Sequence, residues 1–419
     1  MSSVKLSGSD YFHLLINRKM KRFGLAGNIS RVHCQLDSSA DLNQIAKQLK
    51  SNSWLKSASR TRYKLSWPSS PKWVKADEVD SRVILSESIS QSNFQEQILN
   101  RNVDNIEGLV CVDVCSQQDG SKHVVVSMHH VLFDHQGMMN FIHALNGNYE
   151  GNEFPEPTST GFWNSAANAF NMTFYMLSRG SSKLGSLLKK TPNKKSLPRY
   201  DQLKLTTEET KQVEANAWQA GSRIGTSAYL ISSVAKTINQ TLEKRNEKPP
   251  YLWFSTPHKQ RKSGTRGHLF SNQLSFLFFK LTSSDLTTKS ASVQALNTQL
   301  KEQIKGQITA KYARLMDSLR YVPLSIYELM VNRSANGKLA SFGFSDLGKD
   351  QLEMDTFCDA RIIGVNRYPP VPTPPGFSVA VVKSNEQFEF IFGYVDNAIS
   401  EEEMKSFKTE FKNQLISND

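Results

Sequence analysis

The stretch SMHHVLFDHQG, residues 127–137, decides how this chain is to be read. It follows the apolar run HVVVS and places three of the nine histidines and one aspartate between His129 and His135. The β-branched residues before it read as a strand. The series Met138, Met139, Phe141, Ile142 and Leu145 after it reads as one face of a helix. The motif therefore falls on a strand-to-helix connection, where a side chain can project from a rigid scaffold into a cleft.

Three readings compete for His129, His130, Asp134 and His135. Adjacent strand residues point to opposite faces, so at most one of the paired histidines joins Asp134 or His135 around an ion. No metal site is expected. A purely structural reading has both imidazoles satisfied by backbone groups at a strand end. In the third, one imidazole enters a cleft as a general base while Asp134 fixes ring position or local backbone geometry. Histidine suits that task because its ordinary pKa lies near neutrality.

Working outward, residues 5–22 read as a helix starting near Ser7 or Ser9, and RVHCQLD (31–37) alternates like a strand. Residues 39–55 read as one amphipathic helix. GLVCVDVCS (108–116) and KHVVVSMHH (122–130) form a hairpin across QQDG. In the second half, TTEET (206–210) resembles a capping box before a helix, and 226–245 and 290–308 are helical. YLWFSTP (251–257), LSFLFFKL (274–281) and 337–350 are strand-like. Residues 377–396 form a hairpin about Ser384-Asn385, and a helix closes the chain. Strands and helices alternate in both halves, an α/β pattern repeated twice.

At 419 residues the chain fits two domains of about 200 residues each. Four cysteines without CxxC spacing predict reduced thiols and a cytoplasmic setting. No secretory signal and no run of 18 apolar residues is visible. The excess of 51 basic over 39 acidic residues, a net charge of +12, favours an anionic partner. No nucleic-acid module accompanies that charge, so nucleic acid is not the expected partner. The aromatic helix 162–177 followed by the basic run to residue 200 allows a peripheral membrane contact or a carrier-docking element.

The six residues HHVLFD (129–134) resemble the HHxxxDG signature of a superfamily of acyl-transfer proteins. It includes chloramphenicol acetyltransferase, nonribosomal peptide condensation domains, plant BAHD acyltransferases, wax ester synthases and polyketide-associated acyltransferases. LSGSDYFHLL (6–15) is similar to the opening of wax ester synthase-like members. GTSAYLISSVAKTI (225–238), GHLFSNQLSFLFFKL (267–281) and FGFSDLG (342–348) follow in that family's order. FSDLGK lacks the full DFGWG of plant members, so the resemblance is closest to the wax ester synthase and polyketide-associated branches.

This resemblance implies an α/β fold of two chloramphenicol acetyltransferase-like lobes arranged as a V with a central tunnel. Residues 1–178 would form the first lobe, 179–200 a basic linker and 201–419 the second lobe. His130 would be the catalytic base, Asp134 the structural aspartate and His129 a support for backbone or packing. His135 stands where the family has glycine, which appears only at Gly137. Such a residue would narrow the tunnel, handle protons or mark a member that has lost catalysis. An oxyanion donor would be sought at Asn272 and at Ser345, with Asp346 beside it.

The implied activity is acyl transfer from a thioester to a hydroxyl or amine of a small-molecule or lipid acceptor. The donor would be acyl-CoA or a phosphopantetheine-linked acyl group on an acidic acyl carrier protein, with no covalently bound cofactor. The basic stretches 179–200 and 258–266 are candidate contact surfaces for it. A non-catalytic binding or scaffolding member of the same fold is the alternative, and a monomer or dimer is expected.

Overall fold

A computed structural model describes residues 4–77, 79–155, 183–188, 197–261, 267–334, 338–352 and 354–417. Helix α1 (Gly8–Arg22) opens on a capping box: Ser7 Oγ accepts from the Asp10 N–H while the Asp10 carboxylate accepts from the Ser7 N–H. Strand β1 (Ile29–Leu36) follows. The span expected as one helix over 39–55 is two, α2 (Leu42–Ser51) and α3 (Ser53–Arg60). Asn52 breaks it: its Oδ1 caps the Leu55 N–H at 3.0 Å while its Nδ2 donates to the Ala144 carbonyl. Asparagine is favoured at such a junction because its side chain replaces the missing helical partner.

The first sheet runs β11-β12-β1-β6-β5-β4, from β4 (Val83–Ile89), β5 (Val110–Gln117), β6 (Lys122–His129), β11 (Thr356–Phe357) and β12 (Ala360–Tyr368). The predicted β5–β6 hairpin is present, with Gly120 at φ +83° in its turn, a conformation glycine adopts without strain. A separate two-stranded ribbon pairs β2 (Thr61–Lys64) with β3 (Lys72–Lys75). The second sheet runs β7-β14-β13-β10-β8-β9. Its strands are β7 (Pro198–Lys204), β8 (Tyr251–Lys259), β9 (Leu274–Thr282), β10 (Gly343–Lys349), β13 (Phe377–Ser384) and β14 (Gln387–Val395). The turn of the β13–β14 hairpin is Asn385-Glu386, one residue beyond the expected pair.

Each sheet is packed by helices on its own core. Helix α4 (His135–Leu145) buries Met138, Met139, Phe141, Ile142 and Leu145 against the first sheet. Helices α5 (Thr207–Gln219), α6 (Ser227–Lys244), α7 (Lys289–Lys305) and α10 (Glu401–Ile416) cover the second. Helix α8 (Ile308–Leu319) packs in a third, smaller cluster and α9 (Leu324–Ser334) against the core of the first sheet, while Phe12 of α1 touches all three clusters. The result is a mixed α/β molecule with two sheet-bearing lobes.

The lobes are not successive in sequence. Strands β11 and β12, from residues 356–368, extend the first sheet by pairing β12 antiparallel to β1 across six positions, from Arg31–Tyr368 to Leu36–Ile362. Strand β7 begins at Pro198, within the stretch read as a linker. The aromatic helix expected over 162–177 and most of residues 179–196 lie outside the described residues.

Candidate active site

The pairing of β6 with β1 sets the site. His129 is opposite Ile29, and the His130 N–H donates to the Asn28 carbonyl at 2.8 Å, just past the end of the ladder. Strand alternation then sends the two imidazoles to opposite sides. His129 is buried at 1% exposure, and its Nδ1 accepts from the Val131 N–H at 3.1 Å, which holds the turn out of the strand. Burial, with the Lys21 charge and His130 adding to it, pushes its pKa down to about 3. His129 is therefore a neutral brace.

His130 instead lines a cavity of about 410 Å³ where the two lobes meet. Its Nδ1 is buried without a hydrogen-bond partner. Burial lowers its pKa from the ordinary value; its own backbone, the Asp134 charge and the Asn272 side chain partly oppose that shift. The imidazole is consequently neutral at neutral pH and has a lone pair to accept a proton.

Asp134 does not touch the imidazole by a hydrogen bond. It is the N-cap of α4 and 1% exposed. Oδ1 accepts from the Gly137 N–H at 2.8 Å and from an Arg261 Nη2–H at 2.8 Å; Oδ2 accepts from Arg261 Nε–H at 2.9 Å and the Gln273 N–H at 3.1 Å. Burial alone would raise this carboxyl, but the bidentate Arg261 guanidinium and the two backbone donors hold it below its ordinary value. Arg261 also donates to the His268 carbonyl at 2.8 Å. The carboxylate thus ties the strand-to-helix turn of the first lobe to the β8–β9 connection of the second.

Glycine is required at 137 and not at 135. A Cβ on Gly137 would sit 2.3 Å from the Leu269 carbonyl oxygen, which is backbone and cannot swing aside. Gly137→Ala should cost about 1–3 kcal/mol through overpacking, read as a lowered unfolding midpoint in denaturant. His135 occupies the first position of α4 and faces the cavity. Burial and the neighbouring charges of Lys259 and Arg367 push its pKa down to about 4, so it too is neutral.

Asn272 departs from its expected role. It is 1% exposed, and its Nδ2 donates to Asp10 Oδ1 at 3.0 Å and to the His130 and Val131 carbonyls at 2.9 Å each. With its amide hydrogens committed, it has none to offer an oxyanion; it holds the backbone that carries His130. Ser345, on β10, does line the cavity, as does Asp346. Asp346 accepts from Ser227 Oγ and from the Gly348 N–H at 2.9 Å.

Four residues of the site escape a reading of the histidine motif alone. His13 stacks on His130 with ring centroids 4.1 Å apart and an interplanar angle of 10°, and Asn28 Nδ2 lies 3.0 Å from its Nδ1. Burial, with the two neighbouring imidazoles adding to it, drives the His13 pKa well down. Arg261 had been grouped with a surface-contact stretch but is 7% exposed and committed to Asp134. Asp10 accepts from the Asn272 N–H at 2.6 Å and from Ser271 Oγ at 2.8 Å. Among the described residues, no group of three or more His, Cys, Asp or Glu is placed to hold a metal ion, and no helix is long and apolar enough to cross a membrane.

No protein-family model and no curated protein matches the sequence. Solved structures do match across nearly its whole length. The first condensation domain of the calcium-dependent antibiotic synthetase, in complex with a substrate analogue, superposes with a TM-score of 0.68 at 12% identity, covering 99% of this chain and 96% of that one. The wax ester synthase/diacylglycerol acyltransferase from Marinobacter aquaeolei VT8 gives 0.61 at 12% identity, with 98% of each chain covered. The epimerization domain from the third module of tyrocidine synthetase B gives 0.58 at 13%, covering 99% and 97%. The two sheet-bearing lobes thus have the fold seen in these condensation-domain, epimerization-domain and wax ester synthase structures.

Proposed function

We propose that the protein transfers an acyl group from a thioester to a hydroxyl or amine, with His130 as general base. The observation that carries this reading is the His130 imidazole bordering the inter-lobe cavity, on a turn clamped by the Asp134–Arg261 pair. His130 Nε2 accepts the acceptor's proton as its oxygen or nitrogen attacks the thioester carbonyl. The C–S bond then breaks, and the proton passes to the departing thiolate. Ser345 is one of the cavity-lining hydroxyls that could donate to the transient oxyanion.

The donor is coenzyme A-linked or carrier-linked, and the net charge of +12 suits the phosphate of either. Incubating the purified protein with each acyl donor and a panel of alcohols and amines tests the reading; absence of ester or amide product from both donor types would end it. The pH profile provides a second check. The base must be unprotonated, so kcat/KM should fall as pH drops through the His130 pKa, which lies below the ordinary histidine value, and should be flat above it. An acid limb centred above the ordinary histidine value would assign the base elsewhere.

A further inference from the structure

One wall of the cavity is an unbroken series of rings leading away from His130. His13 stacks on His130, and Phe12 meets His13 edge-on at 5.9 Å. Phe276 of β9 then meets Phe12 at 5.3 Å, and Tyr312 of α8 meets Phe276 at 5.9 Å. Phe278 contacts Tyr312 at 4.9 Å, and Trp253 of β8 stacks on Phe278 at 5.8 Å with 16° between planes. Every one of these residues lines the cavity. Trp253, Phe278 and Tyr312 are nearly buried and pack as one cluster with Phe12 and Phe276, and that cluster borders the cavity that holds His130.

Another part of the cavity's border has a different character. There His135 lies close enough to Lys259 and Arg367 to feel their charges, and all three border the cavity. Arg367 is ion-paired with Asp350, whereas Lys259 is exposed. An acyl thioester extends in two directions from its carbonyl: a phosphate-bearing pantetheine arm one way, the acyl body the other. With the carbonyl at His130, the cationic side suits the phosphate arm and the ring-lined side receives the acyl body.

We infer that the acyl group this cavity selects is flat and conjugated, an aryl or polyene chain rather than a saturated one. This rests on the acyl-transfer reading and deepens it. Aliphatic and aromatic walls both reward burial of a saturated chain by area alone. Ring faces and edges add an attraction for another π-system in offset or edge-on geometry, which a saturated chain does not gain. The cavity volume of about 410 Å³ falls within the usual range for small-ligand sites, about 300–1,000 Å³.

The test uses two unreactive probes of equal carbon count, the pantetheine thioethers of all-trans-octatrienyl and of n-octyl groups. Their binding to the wild-type full chain is measured by titration calorimetry. The octatrienyl probe should bind about tenfold more tightly. In Phe278→Leu and in Tyr312→Leu, which keep apolar bulk on two different elements, that preference should shrink to about threefold or less while octyl binding stays within about threefold of wild type. Equal binding of both probes by the wild type, or a preference unchanged in both folded variants, overturns the inference and leaves acyl transfer standing. Binding of neither probe overturns the inference and the thioester reading together.

Discussion

Replacing His130 with alanine should lower kcat by about 10²–10⁴-fold while leaving KM for the thioester close to wild type. The imidazole is asked to act only when the acceptor's proton leaves, so its loss removes transition-state stabilisation rather than ground-state binding. The fold should survive, because the hydrogen bonds that position this turn are made by the His130 backbone: its N–H to Asn28 and its carbonyl to Asn272. What the substitution does remove is a ring stacked on His13. Circular dichroism and the unfolding midpoint would establish that the variant is native, and steady-state rates would then be attributable to the imidazole. Turnover unchanged in a natively folded variant would take His130 out of the chemistry.

Arg261→Met should destabilise the protein by about 3–5 kcal/mol, because it strands the Asp134 carboxylate in a buried site without its countercharge. Both side chains are almost fully shielded, at 7% and 2% exposure, so solvent screening does little to soften the loss. Asp134→Asn in the Arg261→Met background should recover part of it, since a neutral amide can still cap the Gly137 N–H. The pH dependence follows from the depressed Asp134 pKa. Its contribution to stability is complete above the ordinary carboxylate range and disappears as pH falls through the lower folded-state value. In Arg261→Met the folded-state pKa rises, so the acid-linked loss contributed by Asp134 should vanish or reverse sign. Denaturant unfolding at neutral and acid pH reads all three effects; equal stability of Arg261→Met and wild type would show that the pair is not the clamp described.

What the sequence made legible was local. The β5–β6 hairpin, the helix after Asp134, the alternation separating His129 from His130 and the caps at Ser7 and Thr206 depend on neighbours within a few positions, and their patterns are visible in the residues. The rest of the site is assembled from segments far apart in the chain. His13, Asn28 and Arg261 carry no local mark of proximity to His130, because their positions follow from the β1–β6 register and the contact between lobes. Asn272 was found by its motif but misread. Its part is set by carbonyls at 130 and 131, more than a hundred residues earlier, which use the hydrogens an oxyanion would need. Helix 39–55 failed for a smaller reason: amphipathic periodicity continues through Asn52, while the side chain of Asn52 ends one helix and starts the next.

The placement of β12 has a consequence for the order of events during synthesis. Strand β1 is made within the first forty residues, yet the partner along one of its edges is not translated until residues 360–368. Until then that edge presents unpaired backbone donors and acceptors, the kind of surface on which strands of other chains can add. The first sheet thus cannot be completed before most of the second lobe has been synthesised. A fragment ending at the linker would carry an incomplete sheet however well its own core packs.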